Sequence, residues 1–449
     1  MFSKRLPKFL LIIVVLLFLA LLDPSVALGV QQANKPEPDQ PVPLSADSIL
    51  GPEFQISIPV TNPGENWFQP AAAYNSKQDE YLVVMHNDLS DGKSIYGSIF
   101  NGRGVKKITT WIAMVNNKDN VQPAVVYNRI NNEYLIVWMF NQNGDGYTYE
   151  IWGRILPADG EILPSNNTFM IAKVSNYSLL SPRIAWNSYR NEYLVVWNTF
   201  DVSAGVPGIP HDISGYRLSS SGAVINPGTP LLLTSSTYPH QADLAYNVAM
   251  DQYMLVFVRI YMSSATGNDV YGMRVDWQGT AVNPPGVFPI ANTSKHENHP
   301  VIATNCQNRY IVVWQYEYSG VDNDIYAREI DIIGNLIGST STLITNTVYD
   351  EVNPAVAAMP GNMTNYIAVW QKSGDFESEG IWAKYWKPGG SSQTFEVASF
   401  AFWKNEMPAL AFGGPGFLFA YEGAPPIGYR HIYGRFWSPE TVYLPLVMR

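Results

Sequence analysis

One phrase, repeated seven times, governs what this 449-residue chain can fold into. It opens with Pro and small apolar residues leading to an aromatic-Asn pair, then continues with Tyr, three aliphatics and an aromatic. After a polar gap of variable length come Ile-aromatic-Gly-Arg, a turn Gly and a short apolar run. One copy reads Pro123-Ala-Val-Val-Tyr127-Asn128, Tyr134-Leu-Ile-Val-Trp138, Ile151-Trp152-Gly153-Arg154, Gly160, and Phe169 to Ala172. The first position falls at Pro70, Pro123, Pro182, Ala242, Pro300, Pro354 and Pro408, at spacings of 53, 59, 60, 58, 54 and 54. The second phrase starts at Tyr81, Tyr134, Tyr193, Tyr253, Tyr310, Tyr366 and Phe417. The third has its Gly or Ala at Gly97, Gly153, Gly215, Gly272, Ala327, Ala383 and Gly434.

Each unit holds four runs of 4–7 residues rich in Val, Ile, Tyr and Trp, punctuated by Asn, Gly, Asp and Ser, with no 3.6-residue periodicity. Such runs read as strands, here lettered a to d. A four-stranded sheet repeated at this period predicts an all-β chain: a seven-bladed β-propeller of four-stranded blades. Inner strands sandwiched between neighbouring blades have no polar face, which accounts for an apolar strand b and for a composition 46% hydrophobic and 13% aromatic. The fourth position of strand a is small in every copy (Ala73, Val126, Ala185, Ala245, Ala303, Ala357, Ala411), as crowding near an axis would require. The last unit supplies strands a to c and then lacks a fourth. Phe54-Gln-Ile-Ser-Ile-Pro-Val60 matches the d strands Phe169 to Ala172 and Phe288 to Ala291, so an N-terminal strand is expected to complete the last blade and remove the open edge. One domain, residues 54–440, is expected in place of the three that length alone suggests.

The ends read differently. Lys4, Arg5 and Lys8 precede an apolar run from Phe9 to Leu22, followed by the small residues Ser25, Ala27 and Gly29. Fourteen apolar residues fall short of the ~30 Å hydrocarbon core, so residues 1–28 read as a secretory signal peptide, with an uncleaved anchor as the alternative. A membrane contact is expected only in that alternative. Residues 29–53, with Pro36, Pro38, Pro41 and Pro43, read as a Pro-rich spacer. Residues 441–449 form a C-terminal tail, Val442-Tyr-Leu-Pro-Leu-Val-Met-Arg449, that resembles the tails of some exported bacterial proteins; it reads as a sorting signal or a final strand. A secreted or cell-surface location follows. The net charge is -10, which leaves no basic surplus for nucleic acid. Cys306 is the only cysteine, so no intramolecular disulfide or multi-cysteine metal site exists.

The repeat (Pro-x-x-Ala-Tyr-Asn, Tyr-Leu-Val-Val-Trp, Asp-Ile-Tyr-Gly-Arg) resembles secreted bacterial β-propeller repeat proteins. It is distantly similar to TolB-like propellers, whose blades also set a Pro-aromatic strand before an Ile-Tyr strand. The likeness takes in about 390 residues, and its TolB-like side implies a protein-binding scaffold. TolB-like blades usually carry a Ser-Pro-Asp-Gly turn, whereas Asn75-Ser-Lys-Gln-Asp79 and Asn128-Arg-Ile-Asn-Asn132 stand here, so TolB's partners do not carry over.

In such a fold the d–a and b–c connections share one side. The a–b turns are short and nearly constant, while the b–c gaps vary: Trp138 to Ile151 spans 13 positions, Trp197 to Ile213 spans 16 and Trp314 to Ile325 spans 11. Binding residues gather on variable loops over a rigid scaffold. His240, His296 and His299 open neighbouring units 4 and 5, a pattern that reads as a metal or acid–base cluster or, alternatively, as polar loop composition. Gln69, Gln122, Gln241, His299 and Asn353 all immediately precede the first position of strand a. They are able to hydrogen-bond a sugar or peptide, or to satisfy backbone groups where the chain turns inward.

Carboxylates and aromatics share the b–c gaps, including Asp145, Tyr147 and Asp324. Asn141-Gln-Asn-Gly-Asp145-Gly146 resembles the front of a calcium loop, but its twelfth position is Trp152, which excludes an EF-hand and leaves only a looser calcium site. Arg183 and Asp243, at matching positions of neighbouring a strands, are expected to pair. No nucleophile elbow, phosphate loop or dinucleotide fingerprint appears. The expectation is therefore an exported, non-catalytic, cofactor-free propeller that binds an extracellular protein or polysaccharide through its b–c and d–a loops. The alternatives are a polysaccharide-active hydrolase or lyase using carboxylate and His chemistry on the same face, and a structural surface-layer spacer.

Overall fold

The computed structural model describes residues 49–439, apart from 60–64, 90–91, 163–167, 203–209, 226, 229, 235–237, 261–266, 321, 360–364, 375–379, 400–403, 415 and 425–427. Residues 1–28 (expected to be a signal peptide), most of the expected spacer, the C-terminal residues 441–449 and the acidic gap at 375–379 lie outside the described residues. Among the described residues every regular element is a strand and none is a helix.

The a strands are Asn66–Asn75, Lys118–Asn128, Tyr177–Asn187, Pro239–Asn247, Glu297–Thr304, Asp350–Ala358 and Lys404–Gly413. The b strands are Glu80–Leu89, Glu133–Asn141, Glu192–Asp201, Gln252–Arg259, Arg309–Ser319, Tyr366–Ser373 and Gly416–Ala424. The c strands are Gly92–Asn101, Glu150–Pro157, Pro210–Ser219, Asp269–Asp276, Asp322–Asp331, Gly380–Trp386 and His431–Ser438. Six d strands follow: Lys106–Ala113, Phe169–Ala172, Leu231–Thr234, Val287–Ala291, Thr342–Thr345 and Ser392–Ser399. Within each unit they pair antiparallel in the order a-b-c-d.

Four units, the third to the sixth, are separate four-stranded sheets. The first two units join into one eight-stranded sheet through a short parallel pairing, Gly92↔Lys118 and Lys93↔Asp119. Gly92 permits this approach, since it holds φ +126° and a Cβ there would lie 2.4 Å from the Lys118 carbonyl oxygen. The last sheet has five strands, because Ile49–Leu50 and Phe54–Gln55 both pair with His431–Ser438. Phe54 faces Gly434 and Gln55 faces Tyr433, and the Ile56 N–H donates to the Ile432 carbonyl at 2.8 Å.

The apolar interior lies between units. Leu82, Val84 and Ile95 of the first unit pack with Tyr134, Ile136 and Trp138 of the second, and corresponding clusters follow along the chain. One cluster joins Trp67, Tyr81 and Val83 of the first unit to Leu418, Ala420 and Ile432 of the last. The a strands lie side by side in series, with the last beside the first. Trp138, Trp197, Trp314 and Trp370, at the matching position of strand b, are fully buried. Each such side chain stabilises the fold by about 2–3 kcal/mol through burial.

The a strands begin several residues before the position that opens the repeat, and all seven carry a register shift there, at a Pro in six units and at Ala242 in the fourth: Phe68/Ala71, Val121/Ala124, Leu180/Arg183, His240/Asp243, Asn298/Val301, Val352/Ala355 and Glu406/Ala409. A bulge is where a residue without an N–H fits a paired strand, since the ladder hydrogen bond is interrupted there anyway.

Candidate functional site

Gln69, Gln122, Ser181, Gln241, His299, Asn353 and Met407 are the residues before each repeat-opening position, and all have φ between 46° and 53°. This left-handed region is unfavourable for any residue with a Cβ, and each instance costs of the order of 1 kcal/mol or more unless its surroundings impose it. The bulge turns these residues out of the ladder. They lie at the d–a and b–c end of the a strands, each following the residue that pairs with the sixth position of the second phrase in strand b: His86, Met139, Asn198, Val258, Gln315, Gln371 and Glu422.

Three of the freed N–H groups are met by strand b side chains of the preceding unit. Gln69 N–H donates to Glu422 Oε1 at 2.8 Å, Asn353 N–H to Gln315 Oε1 at 3.0 Å, and Ser181 N–H to Met139 Sδ at 3.3 Å. Val258 has no acceptor, and there the His299 N–H donates to Gln241 Oε1 at 2.8 Å instead. The same Gln241 brings its Nε2 to 3.2 Å from His299 Nε2. Gln122 Oε1 accepts from Ser181 Oγ at 3.2 Å, and Asn353 Nδ2 donates to Gln371 Oε1 at 2.9 Å.

Two arginines at this end face carboxylates. Arg183 Nε lies 3.7 Å from Asp243 Oδ1, as expected from their positions, while Asp243 Oδ2 accepts the Ile302 N–H at 3.0 Å. Burial raises the Asp243 carboxyl, and Arg183 opposes that shift. Arg430 bridges Glu406 and Glu422 and lies over the Phe68 ring, which stacks on His86 at 5.4 Å. Burial pushes Glu422 up despite Arg430 and the Gln69 N–H.

Burial disfavours the charged form of three imidazoles at this end. Burial lowers His240 to about 4, with His299 adding to the shift. His86 falls to about 3, through burial first and Lys93 second. Solvent reaches His299, yet the surrounding units deny its cation hydration and Arg183 repels it, so its value is also lowered.

His296 does not join His240 and His299 in a ligand set. It is exposed, and its Nδ1 accepts the Asn268 N–H at 3.0 Å. Among the described residues no three His, Cys, Asp or Glu side chains are grouped to hold a metal ion. Beside His296 lies Glu297, wholly buried and held by Thr293 Oγ1 at 2.5 Å. Burial pushes Glu297 up to about 7, against the hydrogen bonds from Thr293 and with help from Asp269. Asp269 is itself raised by burial, partly offset by His296.

Asp145 Oδ1 accepts the N–H groups of Tyr147 (3.0 Å) and Thr148 (2.8 Å) and Asn141 Nδ2 (3.0 Å), so this oxygen faces donors in a turn. Burial raises the Asp145 carboxyl, but those bonds outweigh it and hold the group below its ordinary value. Tyr147 is half-buried on the same turn. Asp324 is buried in strand c opposite Tyr316, and its neighbour Asn323 donates Nδ2 to Asp350 Oδ1 at 2.7 Å.

Sequence reasoning found the left-handed positions where they are amides or imidazoles but missed Ser181 and Met407, their conformation, and the strand b partners. A signal for the partners was present: a polar residue recurs at His86, Asn198, Gln315, Gln371 and Glu422, next to a strand otherwise wholly apolar.

No protein family matches the sequence, and no curated protein matches it. Among solved structures, the fold is similar to a protein of unknown function from Dyadobacter fermentans DSM 18053, at 10% identity over 88% of this chain and 99% of that one (TM-score 0.50). It is similar to a puromycin-hydrolyzing peptidase from Mycobacterium tuberculosis, at 10% identity over 85% of this chain and 52% of that one (TM-score 0.51). A polysaccharide lyase, Uly1, aligns at 9% identity over 82% of this chain and 90% of that one (TM-score 0.50). The fold is that of a β-propeller. At such identities the likeness extends to the propeller architecture alone, and what this propeller does rests on its own side chains.

Proposed function

We propose that the seven units close into one seven-bladed propeller, exported from the cell, which binds an extracellular polysaccharide without altering it. Closure is supported by the adjacency of the last and first a strands and by the hydrogen bonds from residues 49–56 to the last c strand. Export is supported by the basic patch and short apolar run at residues 4–22.

The observation that carries the binding reading is the set of left-handed residues at one end of the a strands. Strained backbone persists where surrounding structure imposes it, and here the strain presents amides and imidazoles together. Closed into a ring, they would line the mouth of the central channel with neutral donors and acceptors suited to sugar hydroxyls. Paired charges and uncharged imidazoles offer hydrogen bonding there without an activated nucleophile, and the binding needs no cofactor.

The test is a panel of soluble polysaccharides bound to the exported chain, alongside Gln241→Ala and Asn353→Ala. Binding of at least one polymer, weakened at least about fivefold by each substitution (about 1 kcal/mol, one neutral hydrogen bond), is expected. Failure to bind any polymer, or capture of a protein through the same residues, overturns the polysaccharide reading.

A second reading, a hydrolase or lyase on the same face, is favoured by Glu297, whose raised carboxyl beside Asp269 has the character of a proton donor. It requires new chain ends to appear in a bound polymer and to vanish in Glu297→Gln.

A further inference from the structure

Within the mouth, one sector differs from the rest. Arg183 of the third unit, Asp243, His240 and Gln241 of the fourth, and His299 of the fifth meet there. The Arg183 side chain is 43% exposed. Among the described residues its one hydrogen bond runs from Nη1 to the Pro182 carbonyl at 3.2 Å. Its 3.7 Å approach to Asp243 is too long for a hydrogen bond, and Asp243 Oδ2 is committed to Ile302. The guanidinium therefore keeps most of its five donors for something else. Arg430, another cation at this end, is held instead between two carboxylates.

We propose that Arg183, with His299 and His240 beside it, is a subsite for the carboxylate of an acidic sugar, so that the polysaccharide is one bearing uronic acids. A planar guanidinium with free parallel N–H groups matches a carboxylate in a two-point contact. Gln241 and Gln315 hold the His299 ring in place. This inference rests on the polysaccharide reading above and narrows it.

The subsite carries a proton linkage. The charged and titratable groups facing His299 and His240 are each other, Arg183, and Asp243 beyond Arg183. In the free protein both imidazoles are neutral at neutral pH, since burial and a neighbouring cation disfavour protonation. A bound carboxylate reverses part of that field and favours the imidazolium, so binding takes up a proton at acidic pH. Polymer affinity is expected to rise between pH 7.5 and pH 5, by at most about tenfold for a shift of one pKa unit on one imidazole.

The experiment uses the full chain with two probes, polygalacturonate and the same polymer after reduction of its carboxyl groups, titrated at pH 5 and pH 7.5. The parent polymer is expected to bind at least tenfold more tightly than the reduced one, and only the parent should show the pH dependence. Arg183→Gln is expected to lower parent binding at least tenfold at both pH values and to leave the reduced polymer unaffected. Loss of its partner exposes Asp243 to destabilisation, so His299→Asn provides a second variant. Asn tolerates the left-handed conformation, and this variant should keep binding at pH 7.5 and lose the gain at pH 5. Equal binding of parent and reduced polymers, with or without pH dependence, overturns the carboxylate subsite and leaves the polysaccharide reading standing. Binding of neither polymer, together with a blank result across the wider panel, overturns both.

Discussion

The two ends of the propeller strands solve one problem in opposite ways. At the a–b turns, the Asn closing strand a is wholly buried in the first five units and does the same work in each. Asn128 Oδ1 accepts the N–H groups of Ile130 and Asn131, and its Nδ2 donates to Asn191 Oδ1 and Tyr193 Oη of the next unit, each at 2.8 Å. Asn187 repeats the arrangement with Tyr189, Arg190 and Asp251. Where the last unit meets the first, the Asn is absent. Gly413 lets the Tyr74 ring lie where a Cβ would be 2.0 Å away, and its carbonyl accepts from Tyr81 Oη at 2.6 Å. At the opposite end four of the freed N–H groups are met by Glu, Gln, a thioether and a neighbouring amide, each in its own sector. Uniform solutions serve the scaffold, and a varied one leaves room for recognition.

This contrast makes its largest prediction at the turn end. Asn128→Ala removes four hydrogen bonds of a buried side chain, two to turn N–H groups and one each to Asn191 and Tyr193, at a cost of about 4 kcal/mol in urea unfolding. Gln122→Ala, at the other end, removes one half-buried contact and should cost under about 1 kcal/mol. Comparable losses in the two variants would erase the distinction between the ends.

Glu297 sharpens the comparison through pH. Its ordinary value is 4.5 and its folded value about 7, so between these limits the native state keeps a proton that the unfolded chain releases. Stability from this group therefore falls as pH rises from 4.5 through 7, and the full penalty, about 3 kcal/mol, applies above that. Glu297→Gln keeps the Thr293 contact and is expected to raise the midpoint of thermal unfolding at pH 8 while leaving it unchanged at pH 4.5. A gain of equal size at both values would mean that burial is not what perturbs the carboxyl.

The histidines act with the opposite sign. His86 is held at about 3 in the native state, against 6.5 in the unfolded chain. The native protein refuses a proton that the unfolded one accepts, so stability is lost as pH falls below 6.5. His86→Phe keeps the stack on Phe68 and should recover about 2 kcal/mol at pH 5, with little change at pH 7.5. Equal unfolding free energies of variant and parent at pH 5 would contradict a buried neutral imidazole at this site.

The four-strand unit was legible because its phrases are written in residues with one structural meaning: Tyr, Val and Trp for the shared interior, Asn and Gly for the turns. The site was legible only in part. An amide or His before the repeat-opening Pro is visible in sequence, but a left-handed conformation is not, since Gln carries no preference for it and Met407 still less. Pairings between units are invisible for another reason: Glu422 meets the N–H of Gln69 across 353 positions, so they follow from how the sheets pack. The Thr293 clamp on Glu297, echoed by Thr347 on Glu351, was available to anyone comparing units five and six position by position.

Met407 gives the smallest effect and the cleanest measure of strain. It holds φ 46°, is 40% exposed, and precedes Pro408 as its six counterparts precede their repeats. Among the described residues no hydrogen bond of its N–H is recorded, so Met407→Gly removes a Cβ penalty and little else. The flexibility that Gly adds to the unfolded chain offsets part of the relief, and a net stabilisation of about 0.5–1 kcal/mol is expected. Gln241→Gly relieves the same strain but takes away the acceptor of the His299 N–H, and should be destabilising. If both variants were stabilising to the same degree, the amides at this end would contribute nothing to the fold, and their arrangement would have to be explained by binding alone.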